Sequence, residues 1–248
     1  MKRLMAILLG IFFAGSAFAA DPALIETFGC KLKEGRSMAD FNSAVEAWRA
    51  QIDKLPAGRN YFAALLTPAA GYTPYDLVWI GSIPSVSEWA KFGAAGDASP
   101  DYLAALSKIG TNATCENALY LETPLFEGLA NKPGDNDAII ETYGCNLKPG
   151  KTQKDADAFD AAYVAASKAI KATSYSTYRW APFFGKATYQ SVYLTVDDDL
   201  VSFAAATDAL NASKEGKASN AAAAATFTCD SALWSGRVLR QPAAAPNH

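Results

Sequence analysis

The sequence holds a single histidine among 248 residues, and that residue, His248, is the last one. Ser-His-Asp and Cys-His nucleophilic chemistry therefore has no internal histidine to build on. None of the four cysteines stands in a CxxC pair, so a short-spaced zinc site or a dithiol redox pair is not in view, and neither a metal nor another cofactor is expected. An excess of one charge is lacking too. The 22 Lys and Arg face 25 Asp and Glu, for a net charge of −3, and no basic cluster offers itself to a phosphate backbone, so nucleic acid is not an expected partner. No GxSxG, HExxH, P-loop or GxGxxG pattern occurs in a usable context. Past residue 20 no apolar run approaches the roughly 20 residues that a bilayer core requires, so no transmembrane anchor is expected.

The first twenty residues have the opposite character. Lys2 and Arg3 precede an apolar run from Leu4 to Phe13, with small residues at Ala17 and Ala19. This is the pattern of a secretory signal peptide over residues 1–20, cleaved after Ala19 or Ala20. A soluble periplasmic or secreted protein is expected. Cys30, Cys115, Cys145 and Cys229 all follow the leader, and an even count in an exported chain reads as disulfides. Residues 241–248 read as a flexible tail.

The chain also repeats itself. ALIETFGCKLKEG from Ala23 is answered by AIIETYGCNLKPG from Ala138, which places Cys145 115 positions after Cys30. Tyr61 and Tyr175, Pro68 and Pro182, Gly71 and Gly185, Tyr75 and Tyr189, and Cys115 and Cys229 then match at a spacing of 114. Two copies of this length imply two similar domains, 21–132 and 133–240, rather than a solenoid.

Period and punctuation order each copy. A strand over Ala23 to Leu32 precedes a helix near Met38 to Lys54, where Phe41, Val45, Trp48 and Ile52 recur at helical spacing. Strands follow near Tyr61 to Thr67 and Asp76 to Ile83. A second helical region begins at Ser85, where Ser85 and Glu88 form a candidate capping box, and Asp199 is the matching cap in the second copy. Ser99 and Pro100 restart that helix, Gly110 ends it, and Cys115 to Glu122 is the last strand. The acidic run Asp197, Asp198 and Asp199 reads as helix capping rather than a calcium site.

The order β-α-β-β-α-β resembles the ferredoxin-like unit, and two such units resemble the dimeric α+β-barrel superfamily. The resemblance implies an α+β fold of two tandem units packed sheet to sheet as a pseudo-dimeric barrel. It also implies that the first and last strands of a unit are antiparallel neighbours, which selects Cys30 with Cys115 and Cys145 with Cys229 from three connectivities.

Strand alternation assigns residues to two faces. The aliphatic sets, Val78 with Ile80 and Val192 with Leu194 and Val196, are expected under the helices. The aromatic and mixed sets, among them Trp79 and Tyr193, are expected between the sheets. On that assignment the space between the sheets holds Glu26, Glu141, Tyr175 and Arg179. With Tyr189 these are the candidate ligand-binding residues, Arg179 holding an anionic group and the glutamates accepting hydrogen bonds or a proton. The competing expectation is that Glu141 and Arg179 pair inside a filled interface. Without a catalytic motif the leading expectation is an exported, non-catalytic protein that binds a small apolar or aromatic ligand or a protein partner. The resemblance implies the alternative, a cofactor-independent monooxygenase or isomerase in which Arg179, Glu141 and Tyr189 orient substrate or exchange protons. It also covers haem-using enzymes with a histidine ligand, a group that this sequence does not match.

Overall fold

A computed structural model describes residues 22–71, 73–128 and 137–242. The expected signal peptide and the end of the chain lie outside them. In order, the first half contains β1 (Leu24–Leu32), α1 (Met38–Ile52), β2 (Phe62–Gly71), β3 (Leu77–Ile83), α2 (Val86–Asp97), α3 (Pro100–Asn112) and β4 (Ala113–Glu127). The second half contains β5 (Asp137–Leu147), α4 (Gln153–Ala169), β6 (Tyr175–Gly185), β7 (Ser191–Asp197), α5 (Leu200–Ala212), α6 (Lys214–Thr226) and β8 (Phe227–Arg240).

Matched polar residues start the matched helices. The Ser37 backbone N–H donates to the Asp40 carboxylate at 2.9 Å while the Ser37 hydroxyl accepts from Asp40 N–H, and Thr152 donates its N–H to Asp155 at the same distance. Asp199 caps α5 by accepting from Ser202 N–H at 2.7 Å. Ser85 caps α2 through Glu88 N–H, but the Glu88 side chain pairs with Lys91 and does not complete the box expected there. Helix α3 runs two residues past Gly110, so β4 opens at Ala113.

The strands form one closed antiparallel barrel in the order β1-β3-β2-β8-β5-β7-β6-β4. One continuous closed sheet thus takes the place of the two sheets expected to pack against each other. Strand β2 pairs with β8 and β4 with β6, and these two seams join the halves. In the register of β1 and β4, Cys30 lies opposite Cys115, and in that of β5 and β8, Cys145 lies opposite Cys229; both pairs are disulfide-bonded.

The expected face assignment is reversed. Ile80 and Leu194 belong to the cluster inside the barrel, with Ile25, Leu66, Ile140 and Trp234, and Val78, Val192 and Val196 pack against it. Trp79 packs beneath the first half's helices with Phe41, Val45 and Trp48, and Tyr193 beneath those of the second. Alternation shows which side chains share a face but not which face is inner. An eight-stranded barrel leaves a lumen that side chains nearly fill or that holds one small ligand, and here branched aliphatics from β3 and β7 line it, while Trp79 and Tyr193 pack in the helix layer. Glu26, Glu141, Tyr175 and Arg179 accordingly lie between sheet and helices, not inside the barrel.

Candidate active site

The helix-facing surface of each half can be read row by row. In the first half Leu24 lies opposite Ile83, Gly81 between Glu26 and Ala63, and Trp79 between Phe28 and Leu65. In the second half Asp197 lies between Ile139 and Tyr175, Thr195 between Glu141 and Thr177, and Tyr193 between Tyr143 and Arg179. One surface is largely apolar. Its counterpart is largely hydroxylated and charged.

The helices above follow the same division. On α1 the buried residues include Phe41, Val45, Trp48 and Ile52. The residues 115 positions later are Ala156, Asp160, Tyr163 and Ser167. Trp89, Phe92 and Tyr102 are likewise replaced, 114 positions on, by Phe203, Ala206 and Gly216. In the first half Trp48 stands edge-on to Trp79 with ring centroids 4.5 Å apart, and Tyr61, Phe92 and Tyr102 continue the stack. Glu26 is held within it, accepting from the Tyr61 hydroxyl and, at 3.1 Å, from Trp89 Nε1. Burial raises the pKa of Glu26 while those donors oppose the rise. This glutamate is tied down and its surroundings are filled.

In the second half the layer is thinned. No residue of α5 is buried, Leu200 and Val201 being 56% and 79% exposed, and Tyr143 is 37% exposed where its counterpart Phe28 packs against the core. The Tyr163 hydroxyl lies 3.0 Å from Thr177 Oγ1, which lies 3.2 Å from Thr195 Oγ1. Tyr175 donates to Ser167 Oγ at 2.9 Å. Glu141 accepts from the Tyr143 hydroxyl at 2.6 Å, and burial raises its pKa against that hydrogen bond. Asp197 is 1% exposed, and neither of its carboxyl oxygens has a hydrogen-bond partner among the described residues. Burial, then the charges of Glu141, Asp198 and Asp199, push its pKa up to about 7. A solvated aspartate titrates near 4, so Asp197 is a carboxyl poised to exchange a proton close to neutrality.

The five candidate residues from the sequence are therefore dispersed. Glu141 and Tyr175 share the surface with Asp197. Arg179 lies two rows away and pairs with Asp157, at 3.1 Å, and with Asp160 on α4, whose other carboxyl oxygen accepts from the Tyr193 hydroxyl. The expected Glu141–Arg179 pair is thus replaced by a different one. Glu26 belongs to the packed first half. Tyr189 is on the opposite face of the sheet, its ring laid over Gly144, where any Cβ would collide with it. Sequence reasoning missed Asp197, Tyr163, Thr177 and Thr195. The signal for the first was present, since the repeat sets Asp197 against Ile83, but the acidic run drew attention to capping, which only Asp199 is seen to perform.

No protein-family model matches the sequence, and no curated protein matches it. Solved structures do. A protein of Fusobacterium nucleatum designated a monooxygenase superposes with a TM-score of 0.61 at 11% identity, over 90% of this chain and 94% of its own. A Lactobacillus acidophilus protein of the same designation gives 0.58 at 12% identity, over 91% and 99%. A protein designated a chlorite dismutase gives 0.54 at 14% identity, over 88% and 95%. These neighbours correct the expectation of a non-catalytic binding or interaction protein: they carry enzyme designations and favour the alternative. A histidine-ligated haem does not fit here, because the described residues include no histidine, and none of their His, Cys, Asp or Glu side chains form a group of three able to hold a metal. At these identities the likeness is one of architecture, and the chain has the fold of the dimeric α+β-barrel superfamily.

Proposed function

We propose that this chain is an enzyme of the cofactor-independent monooxygenase or isomerase kind, whose site is the polar layer between β5–β7–β6 and helices α4 and α5. The observation that carries the proposal is Asp197: a buried carboxyl without a hydrogen-bond partner among the described residues and with a pKa near neutrality, where the first copy has Ile83. A small aromatic substrate with an acidic C–H or O–H gives up that proton to Asp197, and Glu141 serves as the second acid/base group. Tyr143, Tyr163 and the threonine hydroxyls orient the anion through hydrogen bonds. In an isomerisation the proton returns at another carbon. In an oxygenation the ring supplies the electrons: a phenol and O2 give a quinone and water, one oxygen atom becoming the new carbonyl and the other leaving with two hydrogens. Arg179, held by Asp157 and Asp160, positions α4 over this surface.

The compartment and the domain division belong to the same reading. Residues 1–20 are cleaved on export, residues 21–132 and 133–240 form two ferredoxin-like units, and the enzyme works in the periplasm or outside the cell. Two disulfides among the described residues suit an oxidising environment. Among these residues no helix is long and apolar enough to cross a membrane.

The test is solvent deuterium exchange into a panel of phenols, hydroquinones and cyclic enones, with oxygen uptake followed in parallel. Exchange or turnover should show a pH inflection near 7 and should fall about 100-fold or more in Asp197→Asn. Retention of full exchange in both Asp197→Asn and Glu141→Gln would sink the proposal.

A further inference from the structure

The barrel interior is separated from the polar layer by the thickness of the sheet. It holds a cavity of about 350 Å³, within the range of small-molecule pockets. Both halves line it symmetrically: Val78 and Ile80 from one, Val192 and Leu194 from the other. Tyr120, Trp180 and Trp234, all buried, complete the lining. At the mouth the rings of Tyr75 and Tyr189 lie over Gly29 and Gly144, positions where a side chain would displace them. Two glycines on facing strands thus make room for two tyrosines at the entrance.

The polar groups define what such a cavity accepts. Both tryptophan N–H groups are already engaged, Trp180 with Glu122 at 2.8 Å and Trp234 with Thr142 Oγ1 at 2.9 Å. The lining therefore has no indole N–H left for an anion. At the mouth two carboxylates, Glu116 and Asp230, stand with one cation, Lys186, which is drawn 2.7 Å from Glu116. Tyr75 donates to Glu116 at 3.2 Å and Tyr189 to Asp230 at 2.8 Å. An incoming anion finds the lining cation, Lys186, already paired with Glu116, whereas a hydroxyl or N–H donor finds acceptors, and an uncharged ring finds aromatic and aliphatic side chains.

We propose that the barrel interior is a binding site for a small uncharged aromatic molecule carrying one hydrogen-bond donor, of the phenol or indole class, and that this site is distinct from the polar layer on the other face. The ring lies among Tyr120, Trp180 and Trp234, with its donor directed at the mouth carboxylates.

The test is calorimetric titration of the disulfide-bonded protein with indole and benzoate. Indole should bind one molecule per chain, and benzoate at least tenfold more weakly. Leu194→Trp, which fills the cavity, should weaken indole binding at least tenfold, while Asp197→Asn changes it by less than twofold. Because Leu194→Trp alters a buried position, the wild type carries an independent check: nuclear Overhauser contacts from bound indole to the Val192 and Leu194 methyl groups. Absence of saturable binding, benzoate binding as tightly as indole, or missing methyl contacts would overturn the proposal. So would indole binding lost in Asp197→Asn and kept in Leu194→Trp, which would put the ligand in the polar layer instead. Failure of the catalytic reading leaves each of these outcomes unchanged.

Discussion

The two halves of this molecule share strand order, helix starts and disulfide position, yet differ in what lies between sheet and helix. The first half spends its helix layer on packing. Trp48, Phe41 and Ile52 are each almost wholly buried, and full burial of such side chains contributes about 1.5 to 3 kcal/mol apiece. The second half has Tyr163, Ala156 and Ser167 at the matching positions, and buries a carboxyl whose hydrogen bonds are unmet. That arrangement destabilises locally, as expected where stability is traded for a reactive site. The two halves are joined through the seams β2–β8 and β4–β6.

The sharpest way to break this comparison is to truncate the matched pair of helix residues. Trp48→Ala removes the centre of the aromatic stack and should cost about 3 to 5 kcal/mol in denaturant unfolding. Tyr163→Phe removes one hydroxyl from a partly exposed chain of hydrogen bonds and should cost about 1 kcal/mol. Equal losses would mean that the two layers are equivalent. The disulfides supply the control. Their sequence separations are 85 and 84, so on loop-closure grounds each contributes about 4 kcal/mol. Replacing Cys30 and Cys115 by alanine should shift the unfolding midpoint as far as replacing Cys145 and Cys229. A marked inequality would show that the halves differ in their covalent frame as well as in their cores.

Much of the architecture was legible in the residues because its signals are local and repeated. The matched cysteines, the caps at Ser37 and Thr152, and the spacing of Phe41, Val45, Trp48 and Ile52 each reflect a single element. The direction of the two sheet faces was not legible, because alternation at Val78, Trp79 and Ile80 is the same whichever face is inner. Nor was the site. Glu26 and Glu141 occupy identical positions in the repeat, and only the three-dimensional layer above them shows that Tyr61 and Trp89 hold one while the other faces Tyr143 and a row of threonines. The position that distinguishes the halves, Ile83 against Asp197, becomes visible only when the copies are compared residue by residue.

That position predicts a pH dependence with a definite sign. The Asp197 pKa is raised on folding to about 7, so the folded state holds a proton that the unfolded chain has released above about pH 4. The contribution of Asp197 to stability therefore falls as pH rises from about 4 to 7 and then levels off. Asp197→Asn keeps the shape without the charge. Its advantage over wild type should be small at pH 4 and grow to on the order of 3 kcal/mol at pH 8. Urea unfolding at a series of pH values measures this, and an advantage that does not vary with pH would mean that Asp197 does not titrate in the folded protein.

The smallest expected effect probes the same carboxyl from outside the site. Asp199 both caps α5 and adds a negative charge that helps raise the Asp197 pKa. The first copy performs the capping with Ser85, an uncharged residue. Asp199→Ser should therefore retain the helix start, since serine and aspartate are comparable caps, while moving the pH inflection of exchange or turnover downward by a fraction of a unit. The matching change in the first half, Ser85→Asp, sets its charge near Ile83 and should leave that inflection in place. If both substitutions move it alike, the charge acts through the whole molecule and not through Asp197, and the second half loses its claim to be the specialised one.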